Sequence, residues 1–169
     1  MSEELFDVVN EHDEVVGQGS RREVHARKLW HRAVHVLVFN ARGEVFLQKR
    51  SMAKDTAAGL WDSSASGHLD AGEDYDACAV RELREELGLR VAQPPARLFK
   101  INACAETDRE FVWVYRCQSE GPFELNAEEI ERGGWFTPQE VTRWMAEQPQ
   151  DFASALRLIW RRLNEEAVV

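Results

Sequence analysis

Apolar positions recur along the chain with two periods, and the switches between them mark out its elements. Leu5–Val9 and Val15–Gln18 flank the polar, turn-prone NEHDE, which predicts a β-hairpin inside an N-terminal extension, residues 1–28. Two stronger runs follow, AVHVLVF at 33–39 and EVFLQKR at 44–50. The intervening NARG supplies Asn and Gly for a tight turn, so these runs predict a central antiparallel pair. Ser51–Gly59 is small and polar and reads as a loop, and LWDSSASGHL reads as a short strand. From Tyr75 to Leu87 the spacing turns helical, with Ala77, Val80, Leu83 and Leu87 as an apolar stripe and Gly88 as a stop. Strands are predicted again over 97–104 and 110–117, on either side of the polar AETDR, and at Trp135–Phe136. Thr137 is an N-cap with Pro138 at the first helical position. Asp151 is expected to cap a last amphipathic helix that buries Phe152, Leu156, Ile159, Trp160 and Leu163. The order predicts an α/β fold, a mixed sheet covered by helices.

A length of 169 residues suits one domain spanning 1–169, and 44% hydrophobic with 30% charged residues is an ordinary globular composition. The net charge of −9 argues against a nucleic-acid polymer as partner, because phosphate binding needs clustered Lys and Arg. Free nucleotides remain open, since metal ions can reverse the local charge. Cys78, Cys104 and Cys117 include no CxxC pair and give neither a disulfide framework nor a zinc signature. The acidic MSEELFDVV lacks a signal-peptide pattern and no run approaches a membrane span, so the expectation is a cytoplasmic protein with no membrane partner. The N-terminal hairpin could pair across a homodimer.

The chemistry concentrates in GHLDAGEDYDACAVRELREELGL, residues 67–89. On a helix, Glu82, Glu85 and Glu86 stand at i, i+3 and i+4, so their carboxylates share one side, expected to lie nearly opposite the apolar stripe. Like charges so spaced cost about 0.2–0.5 kcal/mol per pair when exposed, and more when buried. Two readings stay open: a solvated face balanced by Arg81 and Arg84, or a site for hard divalent cations, Mg²⁺ or Mn²⁺, which take oxygen ligands.

Gly67, five residues, Glu73, seven residues, then Arg81-Glu82-Leu83-Arg84-Glu85-Glu86-Leu87-Gly88-Leu89 resembles the Nudix box, G-x5-E-x7-R-E-U-x-E-E-x-G-U, at every defining position. The resemblance implies a Nudix-like α/β/α sandwich and hydrolysis, by metal-activated water, of a diphosphate linkage in a small molecule of nucleoside-diphosphate or related type. It further implies that Glu85 and Glu86 ligate metal, that Glu82 ligates metal or positions the water, and that the Gly67 carbonyl adds a ligand. Glu73 and Arg81 would hold the motif's geometry as an ion pair. For the general base outside the box, Glu110 comes first, then Glu106, Glu128 and Glu129.

The segments FDVVNEHDEVVGQGSRREVH, EVHARKLWHRAVHVLVFN and EVFLQKRSMAKDTAAGLWDSSASGHLDAGE also resemble the Nudix branch that includes isopentenyl-diphosphate isomerases. That resemblance implies a second metal site at His25, His31 and His68, with Asp108 and Glu110 on the later strand. Ser66, however, stands where the isomerase carries its catalytic cysteine, and a hydroxyl lacks the thiol's accessible pKa. With every box glutamate kept, a hydrolase on an isomerase-like scaffold is the preferred expectation; the isomerase and a non-catalytic diphosphate-binding module are the alternatives. Lys49 and Arg50 read as phosphate contacts or as a solvated strand end. Trp30, Trp61, Trp113 and Trp135 read as stacking platforms or, more commonly, core. His35 reads as a hydrogen-bonded core residue and His12 as a surface turn.

Overall fold

A computed structural model describes residues 3–167. Strands β1 (Leu5–Val9) and β2 (Val15–Ser20) form the expected antiparallel hairpin. Its chain then enters a short helix, α1 (Arg21–Ala26), which the hydrophobic pattern did not reveal. The overlooked signal is Ser20-x-x-Glu23: the Ser20 hydroxyl accepts the Glu23 N–H at 3.1 Å and starts the helix.

The main sheet has seven strands: β3 (His31–Phe39), β4 (Val45–Arg50), β5 (Trp61–Asp62), β6 (Ala65–His68), β7 (Ala96–Ile101), β8 (Glu110–Gln118) and β9 (Ile130–Phe136). The β3–β4 hairpin forms, but it pairs only at Val38–Phe46 and Phe39–Val45 before the strands diverge. The gap admits β6 against residues 33–36 of β3, which brings Gly67 and His68 beside Val34 and Ala33. Along its other edge β3 runs parallel to β8 from His31–Glu110 to Phe39–Gln118. Strand β9 is longer than the two residues expected and pairs with the whole of β4.

Alternation along β3 sends its side chains into two cores, as a sheet covered on both faces requires. Ala33 and Leu37 join Val112 and Val114 under helices α3 (Pro138–Glu147) and α4 (Ser154–Ala167). Val34, Val36 and Val38 pack under helix α2 (Tyr75–Leu87). Each fully buried Val, Leu or Ile contributes roughly 1.5–3 kcal/mol before conformational entropy is set against it. Helix α3 starts with Thr137 and Glu140 in a reciprocal capping box. Asp151 is not the cap of α4: it closes a 3₁₀ turn at Pro149–Asp151 and accepts the indole N–H of Trp144 at 2.8 Å. Among the described residues no helix is long and apolar enough to cross a membrane.

The tryptophans serve the core or its edges. Trp61 lies edge-on to Phe136 and Trp144, Trp135 to Phe46, and Trp30 to Phe111, while Trp113 carries Arg97 across its face.

Candidate active site

Helix α2 positions the acids. Asp74 caps it by accepting the Ala77 N–H at 2.7 Å, and Gly88 ends it in the left-handed region, φ 65°. The buried stripe differs from the expected one: it is Tyr75, Cys78, Ala79, Leu83 and Leu87, with Glu82 and Glu86 buried beside them and Ala77 exposed. The carboxylates therefore do not lie opposite the packed face. Two of them border it, because β6 lies over that side of the helix, with Gly67 against Glu82 and the Ser66 N–H on Glu86.

Gly67 of β6 meets Glu82 so closely that a Cβ at this position would overlap the Glu82 carboxylate. Only glycine leaves the room for that carboxylate. Glu86 is aimed by two donors, the Ser66 N–H at 2.7 Å and the Gln48 amide at 3.2 Å. Burial pushes the Glu82 and Glu86 carboxyls well above their ordinary range, and the Glu86 charge adds to the effect on Glu82. Two neighbouring desolvated acids fit a hard divalent cation, their natural counter-charge. Glu85 stands more open, at the cavity wall.

Arg81 organises the rest of the motif. Its guanidinium donates twice to Glu73, each at 2.8 Å, and also to the His68 carbonyl at 2.9 Å, Glu82 at 2.7 Å and Glu85 at 3.1 Å. The ion pair expected between Glu73 and Arg81 is thus present; burial alone would raise the Glu73 carboxyl, but the Arg81 hydrogen bonds outweigh it and hold it low. Of the two arginines expected to balance the acids, Arg81 does so, while Arg84 is half exposed and reaches Glu85 only at 4.0 Å.

These groups open into one cavity of about 570 Å³. Arg50 lines it, held by the Thr56 carbonyl and, at 3.3 Å, by Asp62. Lys49 does not: alternation along β4 turns it away, and it pairs with Glu131 at 3.1 Å. Two cavity cations escaped the sequence reading, Lys54 on the 51–59 loop, paired with Glu129, and Arg21 on α1. Glu129 lines the cavity and its charge acts on Glu86, whereas Glu128 is exposed and lies outside. Glu106 lies at the exposed rim.

The histidines converge as expected. One ring nitrogen from each of His25, His31 and His68 lies within 4.8 Å of the others. Glu110 joins them, 3.2 Å from His31 Nε2 and 2.5 Å from His68 Nε2. Burial would raise the Glu110 carboxyl, but the His68 and His31 imidazoles hold it well below the usual carboxylate range. Asp108 is not on the strand: it sits in the preceding turn at φ 53°, exposed at the cavity wall and outside this cluster. His35 is buried and bonded to the Ser63 hydroxyl at 2.8 Å, and His12 is exposed.

Residues 29–156 match the NUDIX domain family model. The chain belongs to the Nudix family. Nudix relatives extend over nearly all of it: an uncharacterized Nudix hydrolase of Yersinia pestis is 35% identical over 168 residues, covering 96% of this chain and 89% of the relative. The uncharacterized Nudix hydrolase PA4841 of Pseudomonas aeruginosa is 36% identical over 160 residues, covering 92% of each. The crystal structure of DR0079 from Deinococcus radiodurans superposes with a TM-score of 0.84 at 30% identity, covering 94% of this chain and 98% of that one. A MutT protein from Methanosarcina mazei, at 21% identity and a TM-score of 0.67, shares the fold. The protein is accordingly a Nudix hydrolase acting on pyrophosphate bonds, and Nudix enzymes generally employ divalent metal ions. The Nudix match begins after α1, so Arg21 and His25 reach the cavity from outside it.

Proposed function

We propose that this Nudix enzyme is a Mg²⁺- or Mn²⁺-dependent hydrolase of a small organic diphosphate, of nucleoside-diphosphate or related type. The observation that carries the reading is the contact between Gly67 and Glu82. Glycine is required there, against a buried carboxylate that Arg81 also bonds and whose neighbour in charge is the buried Glu86. The Gly67 carbonyl, Glu82, Glu85 and Glu86 would hold the ion, which when bound supplies charge for the diphosphate oxygens and makes hydroxide available near neutral pH. Ser66 and Gln48 fix Glu86, Arg81 fixes Glu82 and Glu85, and Arg50 and His68 line the same cavity as the phosphate contacts.

For the proton acceptor we assign Glu129 ahead of Glu110. Glu110 is locked between two imidazoles that favour its ionised form, and a carboxylate so stabilised accepts a proton poorly. Glu129 faces the cavity near Glu86 on a loop, with Lys54 as its partner.

Turnover of nucleoside diphosphates, nucleotide sugars and prenyl diphosphates, read as release of phosphate or monophosphate with Mg²⁺, Mn²⁺ or chelator, tests the reading. Metal-dependent release abolished by Glu85→Gln supports it; equal traces from wild type and Glu85→Gln with every substrate overturn it. The His25, His31, His68 and Glu110 cluster favours a second reading, a further divalent site serving an isomerase-like reaction. Formation of dimethylallyl diphosphate from isopentenyl diphosphate would establish it, and Ser66 in place of a thiol argues against it.

A further inference from the structure

We propose that the corner of the cavity between β3 and the start of α4 is the subsite for the base of a nucleoside diphosphate, where a ring carbonyl oxygen accepts from the His35 Nε2–H and from the unpaired N–H groups that open α4. The inference rests on the diphosphate-hydrolase reading and names the class of group that the diphosphate carries.

His35 is only 5% exposed, yet it lines the cavity. Its Nδ1 lies 2.8 Å from the Ser63 hydroxyl, and among the described residues no group bonds its Nε2. The side-chain nitrogens and oxygens sealed inside the described protein without a partner are His25 Nε2, His31 Nε2 and Gln48 Oε1, so His35 Nε2 is reached from the cavity. Ser63 sets the tautomer. Its hydroxyl is buried with no acceptor but His35 Nδ1, and a proton on Nδ1 would leave the hydroxyl hydrogen unpaired. Asp62 Oδ1, at 3.7 Å from Nδ1, is beyond hydrogen-bond reach and already accepts the Ser63 N–H at 2.8 Å. Ser63 therefore donates to Nδ1, and the ring proton stands on Nε2. Burial lowers the pKa of this imidazole from its ordinary 6.5, so it meets the cavity as an uncharged donor.

The start of α4 supplies further donors. The Ala153 carbonyl accepts the first helical bond, from the Arg157 N–H at 3.1 Å, so Ala153 is the N-cap and has no side-chain oxygen to offer the turn. Ser154 sends its hydroxyl elsewhere, to the Glu106 carbonyl at 2.8 Å. Ser154 and Ala155 line the cavity, and among the described residues nothing accepts their N–H groups, which carry the positive end of the helix dipole. Strand β5 ties this end to His35: the Trp61 carbonyl accepts the Ala153 N–H at 2.9 Å, and Ser63, two residues on, holds the imidazole.

Donors without acceptors call for an oxygen. An anion is disfavoured, because Asp62, Glu106 and Glu110 line the same cavity and His35 is uncharged. A carbonyl satisfies the donors at no cost in charge. Ala33, Ala105, Ala153 and Ala155 line the cavity with methyl groups, against which a flat ring can lie. Among the described residues no Trp, Tyr or Phe lines it, so the ring is recognised through its edge.

The test titrates the full chain calorimetrically, with Mg²⁺, against three diphosphates that cannot be hydrolysed: the α,β-methylene analogues of uridine diphosphate and of adenosine diphosphate, whose base has no carbonyl, and methylenediphosphonate, which has no base. Wild type should bind the uridine probe about 3- to 10-fold more tightly than the adenosine probe, the worth of one or two neutral hydrogen bonds. His35→Ala should abolish that difference, and His35→Gln, which keeps an N–H donor, should restore part of it. Ala155→Phe fills the corner from the surface of α4 and should weaken the uridine probe about 10-fold or more. Neither His35→Ala nor Ala155→Phe should move methylenediphosphonate by more than about 2-fold, whereas a general loss of structure would weaken all three probes. Equal binding of the uridine and adenosine probes by wild type, or variants that weaken all three probes alike or none, overturns the proposal and leaves the diphosphate reading standing. Absence of Mg²⁺-dependent binding of methylenediphosphonate overturns that reading and the subsite with it.

Discussion

The Ser66 backbone N–H donates to Glu86 Oε1 at 2.7 Å, so the residue preceding Gly67-His68 aims the last acid of the α2 cluster. A backbone donor is indifferent to the side chain it belongs to. The position that distinguishes this chain from the isomerases therefore keeps its part in holding the acid site while lacking a thiol. Glu86→Gln retains an oxygen to accept that bond and loses the charge. It is expected to lower kcat about 100-fold or more. In chelator its melting temperature should equal or exceed that of wild type, since a buried unpaired charge has been removed.

Buried acids also set a pH dependence of stability. The Glu82 and Glu86 carboxyls titrate higher folded than unfolded, so they favour the folded state fully below their ordinary 4.5 and lose that contribution as pH rises toward the folded values. In chelator, stability should fall between pH 5 and 8, and the double variant Glu82→Gln/Glu86→Gln should flatten the slope. Added Mg²⁺ should flatten it in the wild type alone. Chemical denaturation across that range checks both.

Gly67→Ala sets a methyl group against the Glu82 carboxylate. The acid must swing away from its present place, displacing one of the assigned ligands. The Mg²⁺ concentration for half-maximal rate should rise about 10-fold or more, the scale on which displaced coordination geometry acts. An unchanged metal dependence would place the ion elsewhere.

Much of this was legible in the sequence because it rests on local rules. The Asp74-to-Gly88 helix, the hairpin at Asn10–Glu14 and the Thr137 cap follow from turn and cap chemistry, and the box spacing brought Gly67, Arg81 and the acids together. What local rules do not carry depends on long-range pairing, and the nearness of His31 to Glu110 was expected only from the isomerase resemblance. The parallel partnership of β3 with β8 sets His31 opposite Glu110, and nothing local to either strand encodes it. The insertion of β6 buried Glu82 and Glu86, which helical periodicity alone had assigned to an open face. Arg21 and Lys54 lie on a six-residue helix and a polar loop, where periodicity carries no information.

Asp13 fastens the N-terminal extension to the domain. It accepts from Lys100 at 2.6 Å, Arg32 at 2.7 Å and Tyr75 at 2.7 Å, with its own side chain 6% exposed. Burial alone would raise its carboxyl, but these donors outweigh it and hold it below its ordinary 3.8. Its stabilisation is therefore present above 3.8 and lost as pH falls through the lower, folded value. Asp13→Asn should cost about 1–3 kcal/mol at pH 7 and progressively less as the pH is taken below 3.8, measured by urea denaturation. Because the extension carries Arg21 and His25, the loss should also expose α1 to proteolysis.

The two carboxylates outside α2 make opposite predictions for the pH profile. If Glu129 accepts the proton from water, Glu129→Gln should reduce kcat about 100- to 10,000-fold with little change in KM, and remove the acid limb of the kcat profile. Glu110→Gln leaves that acceptor in place and removes the partner of His31 and His68. It should keep the acid limb while lowering the His31 pKa, which burial would depress and the Glu110 hydrogen bond now raises. The imidazole shift can be read by NMR without any substrate. Loss of the acid limb in Glu110→Gln but not in Glu129→Gln would transfer the role to Glu110, and with it the need for His68 to give up its 2.5 Å contact during turnover.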